Sequence, residues 1–366
     1  MTVDGLDVVT TIEAVTPEWI AAVLSHAGVA GAVVDRFELT RVGTGQMGAS
    51  YRLALDYAGE RPASAPSSLI AKFASTDPRS RETGRAMHYY EAEVCFYREV
   101  APRISMHVPR CWYAFVGAAG TDSIIVLEDV APAEQGDQVA GCTVDQAALA
   151  MEELPRLHAP CFADPSFASL AWLNRQTPET TDLLASFLPV LLPQVVDHFG
   201  GRLSAQATSV AESLIPSVGD WMRGHPGPNT VQHGDYRIDN MLLSPGDDSS
   251  APPLTVIDWQ TVVWGSPVLD ASYFLGGSLR VEDRRSDERD LLRIYHDGLM
   301  ASGIDGLSWE RRWSDYRRFA YAGFLVAAGA SVLTVQTERG DDMFLAMIDR
   351  HTAQIEDLGS AEFLAG

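Results

Sequence analysis

Positive charge is scarce in this chain. Of 366 residues only 27 are Lys or Arg, against 49 Asp or Glu, leaving a formal charge of −22 at pH 7 and a pI near 4.7. So acidic a surface repels phosphate backbones and anionic lipid, which argues against charge-driven binding of nucleic acid or membrane. Cysteine is scarce as well. Cys95, Cys111, Cys142 and Cys161 show no CxxC or other zinc spacing and no disulfide framework, so reduced thiols in a cytoplasmic protein are expected. Met1 to Thr11 carries Asp4 and Asp7 and lacks a basic start followed by an apolar core, so it does not read as a signal peptide. Long apolar runs are few. Phe319 to Val335 is almost wholly apolar, but its 17 residues are short for a membrane span and include Gly323, Gly329, Ser331 and Thr334. A buried core helix is the expectation, and no membrane span is predicted.

What the chain does have is core material. Apolar residues make up 46% of it and mean hydropathy is −0.02, which excludes global disorder. The length suggests two domains or one bilobal unit. Thr16-Pro17-Glu18 predicts a helix start. The period then changes to the alternation of strands at 37–40 and 51–57, with a third short strand at 69–73. A helix over 86–100 and strands at 111–116 and 123–128 complete an α+β first third. The remainder reads as mostly helical, with helices at 143–158, from Thr177 to about His198, and at 205–223, 286–301 and 308–336. Pro155 is expected to kink or divide the first of these. Between them lies a non-helical stretch, 231–265, rich in Asp, His, Asn and Trp.

Gly43-Thr44-Gly45-Gln46-Met47-Gly48 matches GxGxxG. A dinucleotide fold needs a helix after these glycines, whereas 51–57 alternates as a strand. Strand, glycine turn and strand is instead the order of a loop folded over ATP phosphates. Lys72 stands in the apolar strand Leu69-Ile70-Ala71-Lys72-Phe73 and asks for a counter-charge. Glu93 on the next helix is the expected partner, with Glu91 and the more distant Glu99 as rivals. An edge-strand lysine in water is the simpler alternative.

The strongest signal is His233-Gly234-Asp235-Tyr236-Arg237-Ile238-Asp239-Asn240, followed by Val256-Ile257-Asp258-Trp259-Gln260. An aspartate five residues before an asparagine, then a second aspartate closing an apolar strand, is the spacing of a phosphoryl-transfer loop and its metal carboxylate. Asp235 would accept or orient the proton of an attacking hydroxyl, and Asn240 and Asp258 would present hard oxygens to Mg²⁺.

With Gly265-Ser266-Pro267 and Asp270, Leu127-Glu128-Asp129 and Glu93-Val94-Cys95-Phe96-Tyr97, these segments resemble the aminoglycoside phosphotransferase and choline kinase superfamily, its ecdysteroid kinase-like branch most of all. The ordered motifs span roughly residues 40–280. The resemblance implies an α+β, bilobal protein-kinase-like fold. An N-terminal ATP-binding lobe, 1–128, would carry an antiparallel sheet plus helix. A mainly helical lobe, 129–366, would hold catalytic and acceptor-binding groups. It further implies ATP and Mg²⁺ as cofactors and a hydroxyl of a small molecule as acceptor, sterol-like, aminoglycoside or another hydroxylated metabolite. Asp235 would be the catalytic base, Asn240 and Asp258 the metal ligands. Gly43, Gly45, Gly48 and Lys72 would meet the phosphates, Glu93 would pair with Lys72, and the hinge from Glu128 to Val130 would meet adenine. Asp270 would brace the catalytic loop, or cap a helix over 271–279. His158 reads as a satisfied core histidine.

Gly234 stands where protein kinases place arginine, and Trp259-Gln260 where they place Phe-Gly. Activity should therefore not await phosphorylation of an activation loop. Two other functions compete: a metal-dependent hydrolase using His233, Asp235, Asp239 and Asp258, and a catalytically silent nucleotide-binding regulator. The first leaves the glycine loop and Lys72 idle; the second sits poorly with an intact set of Lys72, Asp235, Asn240 and Asp258. For the acceptor, Trp259, Trp264, Tyr273 and Phe274 are candidate pocket aromatics. The acidic run 282–290 is interleaved with Arg284, Arg285 and Arg289 and reads as a solvated helix face.

Overall fold

The computed structural model describes residues 2–3, 5–43, 47–174, 177–224, 227–246 and 251–364. The chain forms two compact units. The first comprises 1–103, 108–132 and 258–260; the second comprises 104–107, 133–257 and 261–366.

The first unit is built on one antiparallel sheet. Helix α1 (Pro17–His26) starts where Thr16 Oγ1 accepts from the N–H of Trp19 at 3.2 Å. Strands β1 (Val34–Val42), β2 (Gly48–Tyr57) and β3 (Ser68–Ala74) follow, then α2 (Pro78–Ala86) and α3 (Tyr89–Cys95), then β4 (Cys111–Val116) and β5 (Ser123–Glu128). The spatial order is β1-β2-β3-β5-β4. Ile20, Val23 and Leu24 of α1 bury against Leu53, Leu69, Ala71 and Ile124 of the sheet, the dominant favourable term in holding the layers together. The helix expected over 86–100 is divided. It begins earlier as α2, breaks at His88, whose φ is +58, and resumes as α3 running into a π-turn at 96–100.

The second unit is mainly helical. It contains α4 (Val144–Cys161), α5 (Pro178–Phe199), α6 (Ala205–Leu214), α7 (Val218–Arg223), α8 (Pro267–Ser278), α9 (Val281–Ala301), α10 (Trp309–Leu333) and α11 (Glu338–Asp357). Two short antiparallel pairs lie between α7 and α8. They are β6 (Thr230–Gln232) with β9 (Val263–Gly265), and β7 (Met241–Leu243) with β8 (Leu254–Val256). Pro155 does not divide α4, which runs on through it; its ring lies where a side chain on Gly298 of α9 would have to go. The helix expected over 205–223 is two, α6 and α7, because Pro216 cannot continue the ladder of α6. Phe319 to Leu333 is the C-terminal part of α10, buried through Phe319, Ala320, Phe324, Ala327 and Ala328 but with Val326 and Leu333 exposed. By length and composition alone, one helical stretch among the described residues could cross a membrane, Pro178–Arg202. It keeps Leu183, Phe187 and Val190 exposed along one face.

The ring of His351 on α11 sets the spacing of three helices. A Cβ at Gly277 of α8 would stand 2.9 Å from its Nε2, one on Gly323 would overlap the ring outright, and one on Gly276 would overlap Gln354 and crowd the ring. Burial depresses the basicity of His351 to about 4, with Arg284 and Arg350 adding to the effect against one hydrogen bond that His351 Nδ1 donates to Gln354 Oε1. A neutral, buried histidine protonates in the unfolded chain and not in the folded one. Its contribution is therefore present above pH 6.5 and lost as pH falls toward 4. Comparing wild type with His351→Gln by denaturant unfolding at pH 7 and pH 4.5, the stability difference should narrow by about 2–3 kcal/mol. An unchanged difference would refute the neutral buried state.

Candidate active site

Lys72 is the only lysine in the chain. It sits on β3, mid-sheet, opposite Ser50 of β2 and Ile125 of β5. The edge-strand reading is thereby corrected, since β3 is flanked on both sides. Its Nζ lies 2.8 Å from each carboxylate oxygen of Glu93 on α3 and 2.7 Å from Asp258 Oδ1. Glu91 instead pairs with His88 at 2.9 Å. Burial opposes charge on Lys72, but Asp258 and Glu93 outweigh it and hold the ammonium above its ordinary range. Burial raises Glu93, with Lys72 working against it. Asp258 adopts φ +67, a left-handed conformation that aspartate tolerates better than most residues but that still costs about 1 kcal/mol. Behind it, Trp259 is fully buried and stacks on Phe96 with centroids 3.7 Å apart. Trp259 is thus core, as is fully buried Phe274.

The glycine segment is anchored at its described edges. Gly43 closes β1 with φ +73, and Met47 O accepts from Tyr90 Oη at 2.8 Å. A Cβ on Gly48 would come within 2.9 Å of Phe73 O, so the strand crossing there admits no side chain. Gly45 lies outside the described residues. Glu128 ends β5, its backbone N–H bonding Arg110 O at 2.8 Å; Val130 follows in the connection out of the sheet. Asp129 between them takes two bonds from Arg52, at 2.6 and 3.0 Å, and one from Ser68 at 2.8 Å. Burial works against its charge, yet these donors hold the carboxyl below the usual range.

In the second unit, the loop after β6 carries Asp235. Arg237 Nε donates to both its oxygens at 3.0 Å, Tyr273 Oη to Oδ1 at 2.7 Å, and Asn240 Nδ2 to Oδ2 at 2.9 Å. Arg237 also reaches Asp239 at 2.9 Å. Burial works against the Arg237 charge, but Asp235 and Asp239 outweigh it; Tyr273 is kept a hydroxyl by burial and by the neighbouring Asp235.

The loop backbone is held by Asp270, fully buried in the first turn of α8. It accepts from the N–H of His233 at 2.7 Å and of Gly234 at 3.0 Å. Its helix-cap reading is corrected: the N-cap of α8 is Ser266. His158, read from sequence as ordinary core, stands 3.3 Å from Asp270 and 2.8 Å from Tyr295 Oη. Tyr273, one of the aromatics expected beside the acceptor, bonds Asp235 directly. Arg237 and His158 carry no role in the sequence reading; the signal available for Arg237 is its alternation with Asp235 and Asp239 in one short loop, and no local pattern marks His158.

The two residues expected to hold a metal each carry a hard oxygen donor. Asp258 offers a carboxylate, and Asn240, with its amide N–H groups on Asp235 O and Oδ2, has its amide oxygen to give. Among the described residues no three or more His, Cys, Asp or Glu are grouped to hold a metal.

A five-stranded antiparallel sheet with an internal lysine–glutamate pair, and a helical unit with a braced Asp-x4-Asn loop, define a protein-kinase-like phosphotransferase. A family model for the ecdysteroid kinase-like family matches residues 43–304. The chain belongs to that family, which makes it a small-molecule kinase and bears out the resemblance carried by the motifs. Among solved structures it is similar to choline kinase from Cryptosporidium parvum (TM-score 0.57, 8% identity, covering 95% of this chain and 98% of that one). It is also similar to a choline/ethanolamine kinase family protein from Mesorhizobium loti (0.50, 16%, covering 94% and 95%). A third is the GDP complex of aminoglycoside 2′-phosphotransferase-IIIa (0.50, 13%, covering 93% and 99%). At such identities the likeness is one of fold. No curated protein matches the chain.

Gly234 explains the missing arginine. Its φ is +81, and a Cβ there would meet Thr261 O at 2.5 Å. Gly234→Ala should therefore cost about 2–4 kcal/mol, read as a fall in Tm. A change within experimental error would show that the loop relaxes freely.

Proposed function

We propose that this chain transfers the γ-phosphate of ATP to a hydroxyl group of a small molecule, with Asp235 receiving that hydroxyl's proton. The observation that carries the reading is the fixation of the Asp235 carboxylate: Arg237 and Asn240 fix its plane, and Oδ1 already accepts an O–H from Tyr273. An acceptor hydroxyl needs the same 2.6–3.2 Å reach to the same carboxylate. The transition state of phosphoryl transfer is loose, so positioning and charge balance do most of the catalysis.

Lys72, kept charged by Glu93, is assigned to the nucleotide phosphates, with the N–H groups of the glycine segment 43–48 and backbone groups of 128–130 for the base. Asn240 and Asp258 are assigned to Mg²⁺, which when bound neutralises phosphate charge. The hydrolase alternative is weakened because its extra candidates are engaged elsewhere. His233 Nε2 bonds Ile257 O at 2.9 Å, and Asp239 serves Arg237 and the N–H of Gln138. Free thiols at all four cysteines support a reducing, cytoplasmic setting. The net charge of −22 favours neutral or cationic acceptors over anionic ones. Sterols, aminoglycosides and other hydroxylated metabolites form the acceptor set to test.

With Mg·ATP or Mg·GTP and that set, mass spectrometry should find one acceptor class gaining a phosphoryl group. Asp235→Asn should lower its turnover by about 10²–10⁴-fold while Mg·ATP still raises Tm. Retained turnover would remove Asp235 as the base. The single lysine gives a second check: an amine-selective reagent should modify one internal side chain, and Mg·ATP should protect it. Modification at the same rate with saturating nucleotide would place the phosphates elsewhere.

A further inference from the structure

Arg284, one of the two buried arginines among the described residues, comes with carboxylates, as does the less buried Arg237. Arg284 has Glu288 and Asp357, and Arg237 has Asp235 and Asp239. Arg312, in the first turn of α10, is the exception. It is 2% exposed, its Nε has no hydrogen-bond partner, and no ion pair reaches it among the described residues. Its described side-chain contact is the ring of Tyr295, 5.3 Å from guanidinium to centroid. A guanidinium buried in this way costs several kcal/mol unless something answers it.

What it faces is a cavity of about 190 Å³, bordered also by Ser266, Pro267, Val268, Arg311 and Asp315. Two of these belong to the first turn of α8, a 12-residue helix whose N-cap, Ser266, makes no side-chain cap bond. Pro267 has no N–H, and that of Val268 has no acceptor within the helix, so the turn presents its positive end with a free donor. Arg311 is matched by Asp315, whose oxygens both lie 2.9 Å from its Nε. Among the described residues the lining thus keeps one positive charge without a carboxylate partner, that of Arg312, inside a chain of net charge −22.

We infer that this cavity binds a small oxyanion, a carboxylate or phosphate group gripped by the Arg312 guanidinium and the N-terminus of α8. The planar fork of arginine matches either group through paired hydrogen bonds. The volume is below the roughly 300 Å³ at which sites for drug-sized ligands begin, so the occupant is a small anion. None of these residues is among those assigned to phosphoryl transfer.

The test is titration of the full chain with inorganic phosphate and, separately, with acetate and citrate, at constant ionic strength in chloride, followed by calorimetry. One of these should bind saturably with one-to-one stoichiometry. Lys72→Ala should leave that binding intact, which separates it from the nucleotide phosphates. Arg312→Gln should weaken it about ten-fold or more, the loss expected for one charge-assisted pair. Ser266→Asp covers the case in which Arg312→Gln fails to fold. Aspartate is a good N-cap, and here it supplies the missing anion from within, so that variant should melt higher than wild type and bind no phosphate. No saturable binding of any of the three anions, or Ser266→Asp melting lower and still binding, would overturn the inference and leave Arg312 to water.

Discussion

A carboxylate with no access to water holds the loop of Asp235 in place. Asp270 accepts the backbone N–H groups of His233 and Gly234, and the residue after them is Asp235. Such bonds to a buried ion are individually worth more than neutral ones, and the ion could not stay there without them. The arrangement dictates several neighbours. Gly234 must lack a side chain because the loop passes so close to Thr261 O. His158 reaches Asp270 with one ring nitrogen and Tyr295 Oη with the other. Asp235 then emerges on a backbone that has little freedom, with Arg237, Tyr273 and Asn240 fixing the carboxylate itself.

The first unit solves a related problem for a cation. Lys72 is surrounded by strands on both sides, so its ammonium needs fixed counter-charges, and Glu93 and Asp258 provide them. The other 26 of its 27 Lys and Arg residues are arginine. Lysine offers a compact point charge where arginine would impose a fork, and the single retained lysine stands at the one place where the resemblance asks for a phosphate contact. In the second unit Arg237 is likewise matched by two carboxylates, those of Asp235 and Asp239.

Much of this was legible in the sequence because it is encoded locally. Thr16, Thr143 and Thr177 each open a helix by accepting an N–H three residues on. The strands at 51–57 and 69–73 show their period of two, and Asp235, Asn240 and Asp258 follow a spacing that chemistry requires. What was not legible depends on partners far along the chain. The break at His88 and the continuity of α4 through Pro155 are decided by packing, the latter by Gly298 of α9. Helix α11 and its buried His351 carry no motif, and Tyr273 reaches Asp235 across 38 residues. Asp270 was assigned correctly as a brace through the resemblance, but its rival reading as a helix cap failed because α8 begins four residues earlier, at Ser266. The oddity of a lone lysine needed only counting.

The most direct measurement is the fate of the γ-phosphate. Followed by ³¹P NMR with Mg·ATP and the acceptor set, the account predicts a new phosphate monoester resonance growing in step with ADP, and none with Asp235→Asn. Release of inorganic phosphate alone, undiminished by that substitution, would contradict it.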